Sequence, residues 1–237
     1  MGSERFEFKQ FAIDQHGCAM KVGTDGVLIG AWCSVTNARR ILDIGTGTGL
    51  IALMVAQRNP NAMIDAIDIL PEAAECARRN VAASVWGDRI TIIESPAQGF
   101  TSAHSYDLIV SNPPYFSETL QSPDPARAAA RHSTSLAQSD LLEAACRLLA
   151  PQGRLAVILP TTEYRTFALQ AAARNLQLCR RCEVATKHRS APKRIMSEWS
   201  LSEITAPVEN SLLVITGENG QYSREYRELT RDFYLNF

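Results

Sequence analysis

Between a β-branched run and an apolar helical pattern the chain reads Asp43-Ile44-Gly45-Thr46-Gly47-Thr48-Gly49, and this strand–loop–helix junction restricts the fold more than any other stretch. Three glycines at alternate positions let the backbone turn tightly and come close to a ligand. The alternation continues downstream. Residues 41–44 read as a first strand and 50–58 as a helix. Residues 64–67 form a second strand, and Pro71, suited to a first helical turn, opens a helix reaching about residue 84. Strands follow at 90–93 and 107–110, the latter stopped by Asn112-Pro113-Pro114-Tyr115, because proline cannot donate into a sheet ladder. A helix over 141–149, with Pro151 and Gly153 after it, precedes a fifth strand at 155–159. A helix near 164–174, strands near 184 and over 212–215, and a last helix near 222–234 complete the pattern.

Strands alternating with helices predict an α/β fold, a doubly wound Rossmann-like sheet, mostly parallel and of about seven strands, with ligands outside the carboxyl ends of the strands. The glycine loop and the Asn112 tetrad both fall at that edge. The stretch 117–135, rich in Ser, Pro and Ala, reads as a mobile loop beside the site. With 237 residues, 46% of them hydrophobic, the chain can bury one sizeable core and is too short for two full domains. No apolar run reaches the roughly 18 residues of a membrane span, and the N-terminus lacks signal-peptide character, so a cytosolic protein is expected. Of six cysteines only Cys179 and Cys182 are closely spaced, and no second pair or His pair completes a zinc site. Reduced thiols and no metal are therefore expected.

The glycine spacing is informative in detail. A dinucleotide fingerprint would place Gly or Ala at position 50, where Leu50 stands. Gly-x-Gly-x-Gly with an acid two positions ahead resembles the adenosylmethionine loop of class I methyltransferases. That resemblance implies S-adenosylmethionine as cofactor, with Asp43 facing its ammonium and the backbone of Gly45, Gly47 and Gly49 near its carboxylate. Asp68, at the end of the second strand, is placed to accept from both ribose hydroxyls. Many such enzymes carry an Asp after the third strand, against the adenine amine. Here the chain reads Glu94-Ser95-Pro96-Ala97, and Ser95 is the candidate replacement.

The tetrad supplies the chemistry. An exocyclic amine is a poor nucleophile because its lone pair is delocalised into the ring. The side-chain carbonyl of Asn112 and the backbone carbonyl of Pro113 can accept its two N–H protons, and the Pro113-Pro114 pair stiffens the loop, so the acceptors are preorganised. Tyr115 can stack on the base and hold it in line. The same tetrad occurs in methyltransferases of adenine in DNA or RNA, of guanine in ribosomal RNA and of a glutamine amide in release factors.

The ends of the chain narrow the choice. Phe8-Lys9-Gln10-Phe11, the run from Cys18 to Trp32 that includes Lys21-Val22-Gly23-Thr24-Asp25-Gly26, and Phe233-Tyr234-Leu235 are similar to the tRNA1(Val) adenine N6-methyltransferases. The resemblance implies tRNA as partner, methylated on the adenine just 3′ of the anticodon by direct displacement. It divides the chain into an N-terminal extension, 1–35, packing on the cofactor site, and a methyltransferase domain, 36–237. Thr24 and Asp25 read equally as a helix N-cap or, by resemblance, as residues against the cofactor. The formal net charge of -1 does not suggest a nucleic-acid binder, but seven basic residues stand between 174 and 194 against the single acid Glu183. Lys187, Arg189, Lys193 and Arg194, together with Lys9, Lys21, Arg127 and Arg131, are the candidate RNA contacts. No obligate protein partner is evident. Two other readings remain open: a guanine-N2 or glutamine-amide methyltransferase, and a catalytically silent RNA-binding protein of the same fold. The intact Asn112 and glycine loop argue against the second.

Overall fold

The structure, a computed structural model, describes residues 4–18, 21–114 and 136–236. A two-stranded antiparallel ribbon, β1 (Arg5–Glu7) and β2 (Ala12–Asp14), leads into helix α1 (Thr24–Trp32). There follow β3 (Arg40–Ile44), α2 (Leu50–Arg58), β4 (Met63–Asp68), α3 (Pro71–Ala82), β5 (Ile90–Glu94) and β6 (Tyr106–Ser111). Beyond them lie α4 (Gln138–Leu148), β7 (Leu149–Pro160), α5 (Thr161–Ala172), β8 (Gln177–Lys187), β9 (Arg194–Ser200), β10 (Glu209–Thr216) and α6 (Arg224–Thr230). Eight strands form one sheet in the order β10-β8-β9-β7-β6-β3-β4-β5. Every neighbouring pair is parallel except those made by β9, which is antiparallel to β7 and to β8.

Central strands buried on both faces must be apolar throughout, and side chains alternate between the faces. Ile41, Leu108, Val110, Ala156 and Ile158 therefore meet α1, α2 and the N-terminal ribbon, while Leu42, Ile109, Leu155 and Val157 meet Leu141, Leu142 and Phe167 of α4 and α5. Among the described residues no helix is long and apolar enough to cross a membrane.

Five expectations need correction. The main sheet has eight strands because it gains β9, which starts at Arg194, the last residue of the stretch read as a basic surface run. There Ser197, Glu198 and Ser200 are buried, since Arg154, Arg180 and Ser34 satisfy the Glu198 carboxylate. The strand expected from residue 155 begins at Leu149, with Pro151 and Gly153 in a stretch where its register against β6 shifts. The last helix is shorter than 222–234 and starts after Ser223, whose hydroxyl accepts from Tyr226 N at 3.0 Å. Thr24 is the first residue of α1 and not its cap. Gly23 holds that place, without a side-chain hydrogen bond. Finally, Cys18 and Cys76 form a disulfide, leaving Cys33, Cys146, Cys179 and Cys182 free. A separation of 58 residues hides that pair in the sequence, whereas the fold lays β2 along α3, where Asp14 and Asn80 exchange backbone-to-side-chain hydrogen bonds of 2.8 and 3.1 Å.

Gly153 is required by a close approach: a Cβ there would lie 2.5 Å from the Tyr106 carbonyl oxygen, which is backbone and cannot swing away. Gly153→Ala is expected to cost about 1–3 kcal/mol. A lowered thermal midpoint by calorimetry would show it, and an unchanged midpoint would contradict the contact.

Candidate active site

Parallel pairing brings the carboxyl ends of four strands into line. Ile44 stands opposite Ile67 on one side and Ser111 on the other, and Asp68 stands opposite Glu94. The chain leaves β3 through Gly45, Gly47 and Gly49, whose φ angles are 75°, 55° and 81°. These left-handed values suit glycine alone without strain. The loop is tied to β4, with Gly45 N and Thr46 N donating to Ile67 O at 2.9 and 3.0 Å and Gly47 N donating to Asp68 Oδ2 at 2.9 Å. Asp68 Oδ1 accepts from Leu70 N at 3.0 Å, and Ser95 N donates to Asp68 O at 2.9 Å. Asp68 and Ser95 are thus adjacent beside the loop.

Asp43 is the electrostatic anomaly. It is fully buried, Thr46 Oγ1 donates to its Oδ2 at 2.7 Å, and its Oδ1 is buried with no hydrogen-bond partner among the described residues. Burial pushes its carboxyl up to about 7. The Thr46 hydroxyl and the Ala52 N–H oppose that rise, and the nearby Asp68 charge adds to it. A buried carboxylate oxygen without a donor is costly unless a cation or N–H group meets it. The arrangement therefore fits a ligand that brings an ammonium to Asp43 and hydroxyls to Asp68.

On the other side of β3, Ser111 Oγ donates to Ile44 O at 2.8 Å, fixing the end of β6 against the start of the glycine loop. Asn112 follows half-buried and Pro113 buried. Helix α1 faces Asn112, since a Cβ on Gly26 would stand 3.1 Å from Leu50 Cδ2 and 4.0 Å from Asn112 Nδ2. Tyr115, Arg127, Arg131 and the stretch 117–135 lie outside the described residues.

The remaining candidates are dispersed. Asp25 is joined to Arg194, Oδ2 to Nε at 2.8 Å, so a residue assigned to the cofactor and one assigned to RNA hold each other. Thr24 is exposed beside them. Lys187, Arg189 and Lys193 are exposed in the β8–β9 turn, which lies at the carboxyl edge because Arg194 pairs with Pro160 at the end of β7. Glu218 approaches His188 at 3.0 Å and Arg189 at 3.8 Å. Lys21 is exposed just before α1, and the Lys9 ammonium donates to the Arg231 carbonyl.

Three supporting residues escaped the sequence reading. Thr46 and Ser111 brace the two halves of the site. Asn80, buried on α3, donates to Thr48 O at 2.9 Å and so hangs the glycine loop from the helix behind it. Only a polar residue on the apolar face of α3 hinted at the last of these.

The raised carboxyl makes a pH prediction. Asp43 keeps its proton up to about pH 7 when folded and loses it near 4 when unfolded. The folded form therefore binds the extra proton between these values, and stability falls as pH rises from about 4 to about 7. Asp43→Asn is expected to raise the thermal midpoint of the ligand-free protein at pH 8, with the gain vanishing near pH 4. A pH-independent difference in calorimetry would contradict this.

Comparison with known proteins agrees with this geometry. The methyltransferase small domain family matches residues 26–184. A tRNA1(Val) (adenine(37)-N6)-methyltransferase from Porphyromonas gingivalis is 47% identical, over 99% of this chain and 96% of its own. Relatives of the same name from Tolumonas auensis and Aeromonas hydrophila are 46% and 48% identical, covering 99% and 97% of this chain and 98% and 97% of their own. Among solved structures, a predicted O-methyltransferase from Agrobacterium tumefaciens superimposes with a TM-score of 0.68 at 16% identity, over 88% of this chain and 96% of the other. A ribosomal protein L11 methylase from Lactobacillus delbrueckii gives 0.57 at 17% identity, over 79% and 83%, and these two show the shared fold. The chain belongs to the methyltransferase small domain family and, within it, to the tRNA1(Val) (adenine(37)-N6)-methyltransferases.

Proposed function

We propose that this protein transfers a methyl group from S-adenosylmethionine to the exocyclic N6 of an adenine in tRNA, the adenine 37 beside the anticodon of tRNA1(Val), and does so in the cytosol. The observation that carries the reading is the pairing of a buried Asp43 oxygen, without a hydrogen-bond partner among the described residues, with an Asn112-Pro113 acceptor pair one strand away, in a chain about half identical to enzymes of that name. When bound, the cofactor supplies an electrophilic methyl on a sulfonium.

The chain's own groups do the rest. Asp43 takes the ammonium, the glycine loop leaves room for the methionyl carboxylate, Asp68 takes ribose hydroxyls, and Ser95 stands beside it. Asn112 Oδ1 and the Pro113 carbonyl accept the two amine protons and draw the nitrogen toward tetrahedral geometry, which frees its lone pair. Both acceptors are held by Ser111 and the Pro pair, so little reorganisation remains at the moment of reaction. Tyr115 stacks on the base. No strong general base is needed, because the proton leaves to solvent after transfer. An adenine within a duplex would be out of reach, which suits a loop nucleotide or one flipped out of its stack.

The exposed Lys187, Arg189 and Lys193 supply phosphate contacts on the same edge. Arg194, engaged with Asp25, is left out of that set.

The test is methylation of total tRNA with labelled adenosylmethionine and nucleoside analysis. N6-methyladenosine supports the proposal, while N2-methylguanosine, or label in ribosomal RNA or release factor, overturns it. Asn112→Ala is expected to lower turnover on the order of 100-fold or more with little change in RNA affinity, and near-normal turnover would remove Asn112 from its role. Replacing Lys187, Arg189 and Lys193 together by Ala is expected to weaken RNA binding and to reduce the slope of log K against log salt by about two. An unchanged slope would return that turn to a merely solvated surface.

A further inference from the structure

We infer that the Asp25–Arg194 ion pair is a positioning device for methyl transfer: it fixes the start of α1 over Asn112 from the root of the basic turn, and neither residue touches cofactor or RNA. The inference rests on the proposed reaction for one of its two readouts.

The first observation is how rigidly Arg194 is rooted. It pairs with Pro160 on one side and Val184 on the other. The residue before it is held as well, Lys193 N donating to Val184 O at 2.9 Å and Lys193 O accepting from Thr161 N at 3.2 Å. From that root the guanidinium reaches Asp25, the second residue of α1, at 2.8 Å. The cap of α1 is Gly23, which offers no side chain, so Asp25 supplies a side-chain anchor for the first turn. The next residue, Gly26, faces Leu50 and Asn112, since a Cβ there would stand 3.1 Å from Leu50 Cδ2 and 4.0 Å from Asn112 Nδ2. A strand in the sheet, a helix start and the amine acceptor are thereby linked within three consecutive contacts.

The second observation concerns charge. Glu163, at the start of α5, lies near enough for the Arg194 charge to counter the burial that pushes its carboxyl up, and Gln138 donates to its Oε2 at 2.9 Å. Arg194 is thus bonded to the Asp25 carboxylate and within electrostatic reach of that of Glu163. A phosphate approaching it would meet both, whereas Lys187 and Lys193 stand exposed on the turn itself. Asp25 for its part has its Oδ2 engaged by a guanidinium, a setting that suits orientation of a helix better than capture of an ammonium. The pair is mostly covered, its side chains 32% and 22% exposed, and it holds the residue next to Gly26.

The experiment compares Asp25→Asn, Arg194→Gln, the double variant and Arg194→Lys with wild type. Single-turnover methylation at saturating adenosylmethionine and RNA is expected to fall about tenfold in each single variant, no further in the double, and to recover largely in Arg194→Lys. Dissociation constants for both ligands should stay within about twofold of wild type. Amide hydrogen exchange over residues 23–28 should quicken in the single variants while the sheet keeps its protection. Weaker adenosylmethionine binding with an unchanged saturating rate would make Asp25 a cofactor contact and overturn the inference. A lower RNA affinity and salt slope with an unchanged rate would make Arg194 a phosphate contact and overturn it equally, as would additive losses in the double variant. If wild type labels guanine or a protein amide and not tRNA adenine, the proposed function fails. The exchange readout, and the rates on that substrate, then still decide the role of the pair.

Discussion

Everything at the site depends on the parallel register of β6, β3 and β4. Because Ile44 is level with Ser111 and Ile67, the chain turns out of three neighbouring strands at the same height, and each turn delivers one chemical function. The β3 turn delivers a backbone cradle and the buried Asp43, the β4 turn Asp68, and the β6 turn Asn112. A slip of one residue in β3 would carry Asp43 to the opposite face and exchange Leu42 for it in the core below. Hydrophobic burial on both faces forbids that slip, so the apolar content of the central strands is what sets the separation of cofactor and acceptor.

The loop between β3 and α2 is braced from behind. Asn80 on α3 binds both Thr48 and Asp14, and Asp14 ends the ribbon strand whose neighbour, Cys18, is bonded to Cys76 of the same helix. The ribbon is therefore clamped to α3, and α3 to the glycine loop. Phe8 stacks on Phe11 and Phe11 meets Trp86 edge to face in the same layer, with Phe8 also against Tyr234 near the other end of the chain. The N-terminal residues are part of the wall that holds the loop in its left-handed turns.

Much of this was legible in sequence where local rules decide. The strand–glycine–helix junction, the acids at the ends of β3 and β4, and the proline stop after β6 depend on periodicity and backbone preference, and each stands where those rules place it. What was not legible depends on distant partners. The β9 segment contains Arg194, Ser197, Glu198 and Ser200 and lacks a strand's usual apolar alternation. It is buried because Arg180, Arg154 and Ser34, which are 18 (198 - 180), 44 and 164 residues away in sequence, satisfy the Glu198 carboxylate. Arg180 completes the set by lying 3.9 Å over the Trp32 ring. The preceding run, 174–194, looked like a basic surface because charge counting sees residues and not their partners, such as Glu198 beside Arg180. The Cys18–Cys76 bond was hidden for the same reason.

The antiparallel β9 has a geometric consequence for α1. Residues 194, 196 and 198 share one face of the strand, and Met196 joins the apolar layer that contains Val27, Leu28 and Ala31. Arg194 holds Asp25 at the start of the helix, and Glu198 accepts from Ser34 N at 2.7 Å just past its end. Four residues of strand rise about 13 Å, while the seven helical steps from Asp25 to Trp32 rise about 10.5 Å, and Cys33 and Ser34 beyond the helix span the remainder. The two lengths match, so one strand can grip the helix at both termini without stretching either. A helix gripped in this way cannot slide along its axis, and Gly26 stays over Asn112 whatever moves in the loops beyond. Arg194 and Glu198 of β9 are thereby the counterpart of the apolar register in β3: the register fixes the height of the site and the two charged residues the cover over it.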